Sequence, residues 1–204
     1  MSRWEPGAAQ RLQQAAMTLF LERGYGNVTI AEIAGQAGLT RRTFFNHFAD
    51  KREIFFGGAA VFRGGVIAHL DGADAALSPV DAAVAALTGA GRGIGDYREH
   101  APAVRAIIAT STELQERDLI KMDSITTALV DGLRRRGVPA RAANFAAKTA
   151  VTAYSTAWTD WVDNPDADFS VLMQQALADL RSVVGQNTSE SADWPGVDAH
   201  SGAT

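Results

Sequence analysis

The sequence contains no cysteine among its 204 residues. Disulfide bonds, thiolate nucleophiles and cysteine-based zinc sites are therefore excluded, and a cytoplasmic location is expected. Histidine is also scarce, and His69 and His100 lack a neighbouring cysteine or a histidine–carboxylate pair at ligand spacing. We expect no metal site and no cofactor.

Long apolar runs and strand-like alternation are scarce as well. Charges interrupt the alanine- and leucine-rich stretches at helical spacing, so we expect no membrane span. The N-terminus, MSRWEPGAAQ, has no apolar stretch before a small-residue cleavage site, which argues against a secretory signal. Nearly every segment has helical periodicity, and this predicts an all-α fold of about nine helices.

Sequence motifs of catalytic sites are absent. There is no G-x-S-x-G, no H-E-x-x-H and no convincing nucleophile–base pair. The glycines between positions 89 and 95 lack the preceding strand that a dinucleotide site requires. We therefore predict that the protein is not an enzyme. One alternative that this leaves is a non-catalytic helical protein-interaction module.

Positive charge is in deficit overall, with a net charge of −4, but it is concentrated near position forty. The cluster consists of Arg41, Arg42, Lys51 and Arg52, opposed there only by Asp50. Attraction to phosphate acts over a Debye length of roughly 8–10 Å, so this local cluster matters more than the net charge. A basic end on an acidic body is expected of a protein that meets DNA at one end.

Three helices are predicted before residue 50. The first runs from about Gly7 to Arg23, and the second opens at a capping box formed by Thr29 and Glu32. Gly38 ends the second helix in a turn. The third is short, from Thr40 to about Phe48, with Phe44 and Phe48 on its inner face. A helix, a glycine turn and a short helix in this order predict a helix-turn-helix.

The rest of the chain is also predicted to be helical. A second capping box, Asp50 with Glu53, starts a long fourth helix that reaches about His69. A cap formed by Thr112 and Gln115 is predicted further along the chain. The five later helices are predicted at Pro79–Leu87, Ala103–Ala109, Glu113–Arg136, Ala140–Val162 and Phe169–Val184. The predicted domains are residues 1–50 and 51–186, with a disordered tail at 187–204.

The short third helix carries the residue types that DNA recognition needs. Hydroxyl groups at helix starts bind phosphates, arginine matches guanine, and asparagine matches adenine. Arg42 and Asn46 lie one turn apart on its non-core face, and Arg41 is adjacent. The alternative for this segment is a solvated basic helix in an ordinary bundle.

The stretch Leu12–Phe56 resembles the N-terminal DNA-binding domain of the TetR/AcrR family of bacterial regulators. The resemblance rests on Ala15–Phe20, Gly24-Tyr25, Thr29–Ala34, Ala37–Thr40, Thr43–Phe48 and Lys51. It implies a homodimer that binds a palindromic double-stranded operator, with half-sites roughly 34–36 Å apart or a multiple of this. It further implies a larger C-terminal helical domain that dimerises and holds a small-molecule effector, most often in a repressor.

The resemblance also implies roles for individual residues. The implied DNA-binding residues are Thr29, Thr40, Arg41, Arg42, Thr43, Phe45, Asn46, His47 and Lys51. Phosphate contacts are implied for Thr29, Thr43, His47 and Lys51, and base contacts for Arg41, Arg42 and Asn46. Many members have tyrosine where this chain has Phe45. Because Phe45 has no hydroxyl group, only packing against sugar or the helix is expected of it.

Two features of the C-terminal part leave alternatives open. Apolar stripes on the last two long helices suit pairing between subunits, although each residue could equally belong to an internal core. The stripes are Ala143, Ala146, Ala147, Ala150, Ala153 and Ala157, and Phe169, Leu172, Met173, Ala176, Leu177 and Leu180. A ligand pocket is predicted at Met122, Ile125, Leu129, Tyr154, Trp158 and Trp161, with plain core as the alternative.

Overall fold

The computed structural model describes residues 7–92, 100–164 and 166–185, and these residues form ten α-helices and a short 3₁₀ turn without a strand. The predicted all-α fold is confirmed. The helices are α1 Ala8–Arg23, α2 Ile30–Gln36, α3 Arg41–His47, α4 Glu53–Phe56, α5 Ala59–Asp71, α6 Pro79–Gly91, α7 Ala101–Ala109, α8 Thr112–Arg135, α9 Ala140–Asp163 and α10 Phe169–Gly185. The 3₁₀ turn, Tyr25–Asn27, joins α1 to α2. The predicted disordered tail and the glycines beyond position 92 lie outside the described residues.

The prediction of one long fourth helix is wrong, because the helix is interrupted at Gly57 and Gly58, between α4 and α5. Two successive glycines weaken a helix, since their backbone loses the most entropy on ordering. A Cβ on Gly57 would also stand 3.2 Å from the carbonyl oxygen of Glu53. The interruption accounts for ten helices where about nine were expected.

Only half of the predicted capping box at Asp50 forms. Asp50 Oδ1 accepts hydrogen bonds from the backbone N–H groups of Arg52 and Glu53, at 2.8 and 3.2 Å. The reciprocal bond from Asp50 to the Glu53 side chain is absent, because that carboxylate pairs with Arg117 instead. The predicted cap at Thr112 is wrong, since Thr112 is the first residue of α8 and the N-cap is Ser111, whose side chain makes no capping hydrogen bond.

Two apolar cores organise the helices. The first core lies among α1, α2, α3 and α4 and also receives Val104 and Ile107 from α7 and Leu114 from α8. The second core lies among α5, α6, α8, α9 and α10 and includes Ile125 and Leu129 of α8. The single long helix α8 therefore belongs to both cores.

The predicted domain boundary at residue 50 stays a prediction. The first core extends past that position, because Ile54, Phe55 and Phe56 of α4 are buried in it. The apolar face of the fourth predicted helix is thus divided. Its first turn packs with the N-terminal helices, and Val66 and Leu70 of α5 pack in the second core.

The apolar stripe of α9 and half of the stripe of α10 are buried within a single chain. All six alanines of the α9 stripe are at most 2% exposed and lie in the second core within a single chain. On α10, Met173, Ala176 and Leu177 are buried there, and the other three stripe residues pack against it. The alternative of an internal core therefore holds for the six alanines of α9 and for Met173, Ala176 and Leu177 of α10, because small alanine side chains let neighbouring helices approach α9 closely. For Phe169, Leu172 and Leu180 both alternatives stay open.

Contrary to expectation, Glu53–Asp71 is long and apolar enough to cross a membrane by length and composition. The structure accounts for its composition in another way. The segment is split between α4 and α5, and its largest apolar side chains fill the two cores. The buried share of its most apolar stretch is 22%.

The close approach of α8 to α5 predicts opposite effects for two glycine-to-alanine substitutions. A Cβ on Gly132 would stand 2.5 Å from Cδ2 of fully buried Leu70, whereas a Cβ on Gly64 of α5 would meet nothing within 4 Å. Gly132→Ala should lower the free energy of unfolding by ~1–3 kcal/mol through overpacking. Gly64→Ala, the matched control, should raise it by up to ~1 kcal/mol. Urea unfolding measures both, and equal effects would contradict the close packing.

Candidate nucleic-acid interface

The orientation of α3 is set by the first core. Phe44 is fully buried and Phe48 nearly so, as are Ile33 and Ala34 of α2. Between the helices Gly38 has φ +64°, a left-handed conformation that favours glycine. The Leu39 N–H closes this turn on the Ala34 carbonyl at 2.8 Å. The predicted inward direction of both phenylalanines is confirmed.

Threonines hold the first turns of α2 and α3. Thr29 Oγ1 accepts a hydrogen bond from the backbone N–H of Glu32, and the Glu32 carboxylate accepts one from the N–H of Thr29, so the predicted capping box is confirmed. The bond from the Thr29 N–H lowers the pKa of Glu32. At α3, Thr40 Oγ1 accepts a bond from the N–H of Thr43 at 3.1 Å, and the two hydroxyl groups lie 2.9 Å apart. Both helix starts are exposed.

Arg42 and Asn46 point directly away from the first core. Because an α-helix turns by about 100° per residue, these two side chains lie roughly 160–200° around α3 from Phe44. The flanks of this ridge carry Arg41 and Phe45 on one side, and Thr43 and His47 on the other. Arg41, Arg42, Asn46 and His47 are exposed. Within the described residues, the two guanidinium groups make no hydrogen bond or ion pair, which leaves their donors available to an external acceptor.

Phe45 is an exposed aromatic ring on the same side of the molecule. Its side chain is 49% exposed, and its ring meets the edge of Phe44 with centroids 5.5 Å apart and an interplanar angle of 82°. This contact ties the exposed ring to a fully buried one. The surface of α3 therefore presents a fixed apolar group beside its polar ridge.

The structure ties down two of the four predicted cations. Lys51 Nζ donates to the backbone carbonyls of Tyr25 and Val28, at 2.7 and 2.9 Å, and lies 4.0 Å from the Tyr25 ring centroid. Burial lowers the pKa of Lys51. Arg52 Nε donates to Asp50 at 3.0 Å and lies 3.5 Å from Glu113. The unpaired positive charge of this segment is therefore carried by Arg41 and Arg42.

Ion pairs between distant helices were not predicted. Arg117 Nε of α8 lies 2.8 Å from Glu53 Oε1 of α4, and Glu113 of α8 faces Arg52. Nearby, the hydroxyl of Tyr25 is buried without a hydrogen-bond partner among the described residues, and this burial raises its pKa. No local spacing signals contacts across about sixty residues. The start of α8 is thereby fastened to the helices that position α3.

The predicted pocket residues are divided between the second core and a small third cluster of the C-terminal helices. Ile125 and Leu129 are fully buried in the second core, as the alternative of plain core states. Met122 and Trp158 are partly buried, and Tyr154 stacks on Trp158 with ring centroids 6.4 Å apart. Trp161 lies in a small third cluster with Ala101 and Val162. None of the six lines the cavity of about 260 Å³ beside Arg136 or the groove of about 440 Å³ beside Arg11.

Comparison with known proteins agrees with this geometry. The model of the tetR family of bacterial regulatory proteins matches residues 12–57. The Transposon Tn10 TetC protein of Escherichia coli is 42% identical over 45 residues, which cover 22% of this chain and 23% of TetC. The chain thus matches less than a quarter of the length of that relative.

Similar solved structures extend over nearly the whole chain. The complex of SmeT with triclosan has a TM-score of 0.58 at 18% identity, covering 87% of this chain and 91% of SmeT. SmeT is the repressor of a Stenotrophomonas maltophilia multidrug efflux pump. A transcriptional regulator of Aquifex aeolicus has a TM-score of 0.54 at 16% identity, covering 87% of this chain and 99% of the other. At these identities the likeness shows the fold.

The molecule is a helix-turn-helix protein whose N-terminal helices are joined to a larger helical part. The chain matches the model of the tetR family of bacterial regulatory proteins at residues 12–57, and it has the overall fold of solved transcriptional regulators of this kind. It carries the DNA-binding fold of that family, and the proteins that it resembles are transcriptional regulators.

The contacts of Lys51 predict a structural contribution that can be separated from DNA binding. Lys51→Met should lower the free energy of unfolding by about 1–2 kcal/mol, because two carbonyl groups lose a charged donor. Arg63→Met on exposed α5 is the matched control and should leave stability unchanged. Urea unfolding of the full chain measures both. Unchanged stability of Lys51→Met, together with weaker salt dependence of DNA binding, would assign this lysine to phosphate alone.

Proposed function

We propose that the protein is a ligand-responsive transcriptional regulator that binds a palindromic DNA operator as a homodimer, acting as a repressor that a small molecule releases. The observation that carries the DNA-binding part is the arrangement of α3. Its inner face is anchored by Phe44, while Arg41, Arg42 and Asn46 are exposed and the two arginines are unpaired within the described residues. A helix held in this way can enter a major groove with its readers free.

Phosphate contacts surround the proposed base readers. Thr29 and Thr40 stand at exposed helix starts, and Thr43 and His47 lie on one flank of α3. Lys51 has a third N–H group beyond the two that its carbonyl partners occupy. These contacts would position α3 without reading sequence. Together with Arg41 and Arg42, they account for DNA affinity in a protein of net charge −4.

The paired substitution Arg41→Ala with Arg42→Ala tests the proposed DNA site. Specific binding should fall at least roughly 100-fold, because base discrimination of ~1–3 kcal/mol per reader and phosphate attraction are lost together. The measurement is fluorescence anisotropy of the full chain on a duplex selected in vitro from random DNA, at fixed moderate salt.

The control for this test is Arg63→Ala, an exposed arginine of α5 without an ion pair among the described residues. It should bind like the wild type. Thermal unfolding should show that the double variant remains folded. Failure of the wild-type chain to select any sequence would reject specific DNA binding. Unimpaired binding by a folded double variant would favour a protein-interaction module.

Dimerisation is proposed through the exposed faces of α9 and α10, since the alanine stripe of α9 is buried within a single chain. On α9, the hydroxyl groups of Thr152, Ser155, Thr156 and Thr159 each donate to the carbonyl four residues earlier. This leaves a surface of small side chains whose donors are already satisfied. Phe145 on α9 is 63% exposed, and Val171 on α10 is exposed as well. A two-fold pairing of such faces would bring two copies of α3 to one operator.

A bulky charge on this face should break the dimer. Thr156→Arg places a long cation where a second copy would pack, so a monomer is expected, with operator binding weakened at least roughly tenfold. Analytical ultracentrifugation measures the mass, and anisotropy measures the binding. Thr127→Arg, at an exposed position of α8, is the matched control and should remain dimeric. A dimeric Thr156→Arg would place the interface elsewhere.

The effector is proposed to enter beside the partly buried side chains of Met122 and Trp158 and to reach buried Tyr154, which stacks on Trp158. Aromatic and methionine side chains provide apolar contact area, and the Tyr154 hydroxyl can orient a ligand. The triclosan complex of SmeT supports this, because the same fold there holds an aromatic molecule. Ile125 and Leu129 would pack behind this site in the second core, and Trp161, whose ring lies beside Trp158, would border it on the other side.

Helix α8 would couple ligand binding to the release of DNA. Its C-terminal half packs in the second core, whereas Leu114 packs in the first core and Arg117 is paired with Glu53. A small shift of α8 would therefore be felt by the helices that hold α3. A coupling of ~1–3 kcal/mol would weaken operator binding roughly 5–150-fold. Such a regulator would act in the cytoplasm, where the DNA is.

A further inference from the structure

The surface of α3 contains one group that a phosphate-binding role leaves unexplained. Phe45 is 49% exposed, has no hydrogen-bonding atom, and lies on the flank of α3 next to the ridge formed by Arg42 and Asn46. A single exposed apolar side chain is common on protein surfaces, so what matters here is the place of this ring beside Arg42 and Asn46. The ring is also held edge-on against fully buried Phe44, so it has a fixed place relative to the polar ridge.

The spacing of the ridge matches that of stacked bases. Arg42 and Asn46 are four residues apart, which is about 6 Å along a helix at 1.5 Å per residue. Two base-pair steps measure about 6.8 Å. Phe45 lies between them along the axis, displaced to one flank. Three side chains of one exposed surface can therefore meet bases within about three consecutive pairs.

The chemistry of each side chain selects a base in the major groove. Arginine offers two parallel donors that fit the N7 and O6 acceptors of guanine, and the amide of asparagine fits N7 and N6 of adenine. A phenyl ring can do neither. Its apolar partner in the groove is the C5-methyl group of thymine.

We propose that α3 reads a guanine, an adenine and a thymine within about three consecutive base pairs of each half-site, with Phe45 contacting the thymine methyl group. Arg42 reads the guanine and Asn46 reads the adenine, on whichever strand carries them. The proposal rests on the DNA-binding function proposed above and specifies what the site reads.

The test uses base analogues in the duplex selected by the full-length wild-type chain. Each thymine is replaced in turn by deoxyuracil, which removes only the methyl group, and each guanine or adenine by the analogue lacking N7. Anisotropy at fixed salt gives the affinity of the wild type, Phe45→Ala and Arg42→Ala for each duplex. Phe45→Leu, which keeps an apolar side chain, and Leu21→Ala, an exposed site on α1, complete the set.

The proposal expects one thymine whose replacement weakens wild-type binding about fourfold, which is the value of one buried methyl group. Phe45→Ala should bind the thymine and deoxyuracil duplexes equally, whereas Phe45→Leu and Leu21→Ala should keep the preference. A guanine within about three pairs of it should lose roughly tenfold on replacement for the wild type, but not for Arg42→Ala.

Several results would overturn the proposal. A wild-type chain indifferent to every thymine methyl group has no such contact, and a preference that persists in Phe45→Ala assigns the contact to another residue. Sensitive bases scattered over more than half a helical turn would contradict a single ridge. If the wild type selects no sequence, the proposed function itself fails, which differs from selection without methyl dependence.

Discussion

The burial of Phe44 is the contact on which the rest of the N-terminal structure depends. Helix α3 has only seven residues, too few to be stable by itself in water. It exists because its inner face packs against α1 and α2, and because threonine caps and the left-handed Gly38 fix where it begins. The direction of Arg42 and Asn46 is therefore a consequence of apolar packing on the opposite side of the same helix. The packing of the first core therefore sets the position of the proposed base readers.

Charge in this region is divided between two tasks. Lys51 and Arg52 make contacts within the protein. Lys51 donates to carbonyls of the turn after α1, and Arg52 pairs with Asp50 and faces Glu113 of α8. Arg41 and Arg42 make no such contacts among the described residues. A chain with a net negative charge can still attract DNA if its unpaired cations lie together on one helix. Arg41 and Arg42 are adjacent on α3, and both would lie within a Debye length of the phosphate backbone of bound DNA. The acidic remainder lies elsewhere and limits non-specific attraction.

Helical periodicity and local spacing predicted much of this structure. The bounds of most helices other than the divided fourth, the Thr29 capping box and the inward phenylalanines follow from neighbours three or four residues apart, which a helix must bring together. Contacts between remote segments could not be read in this way. The pairing of Arg117 with Glu53 spans sixty-four residues, and Lys51 reaches carbonyls more than twenty residues away. The alanine stripe of α9 was ambiguous for another reason, since packing within a chain and packing between chains require the same small side chains.

The sharing of α8 between two cores has a consequence for how this protein can be divided. Val104, Ile107 and Leu114 complete the first core from outside the helix-turn-helix, so a fragment ending near residue 57 would expose part of that core to water. The DNA-binding helices are consequently not an interchangeable cassette. A chimaera that joins these helices to another helical domain would fold only if that domain supplies equivalent apolar side chains and an acidic partner for Arg52. Substitutions at the contacts that α7 and α8 make with the first core are therefore more constrained than substitutions on the exposed surface of α3.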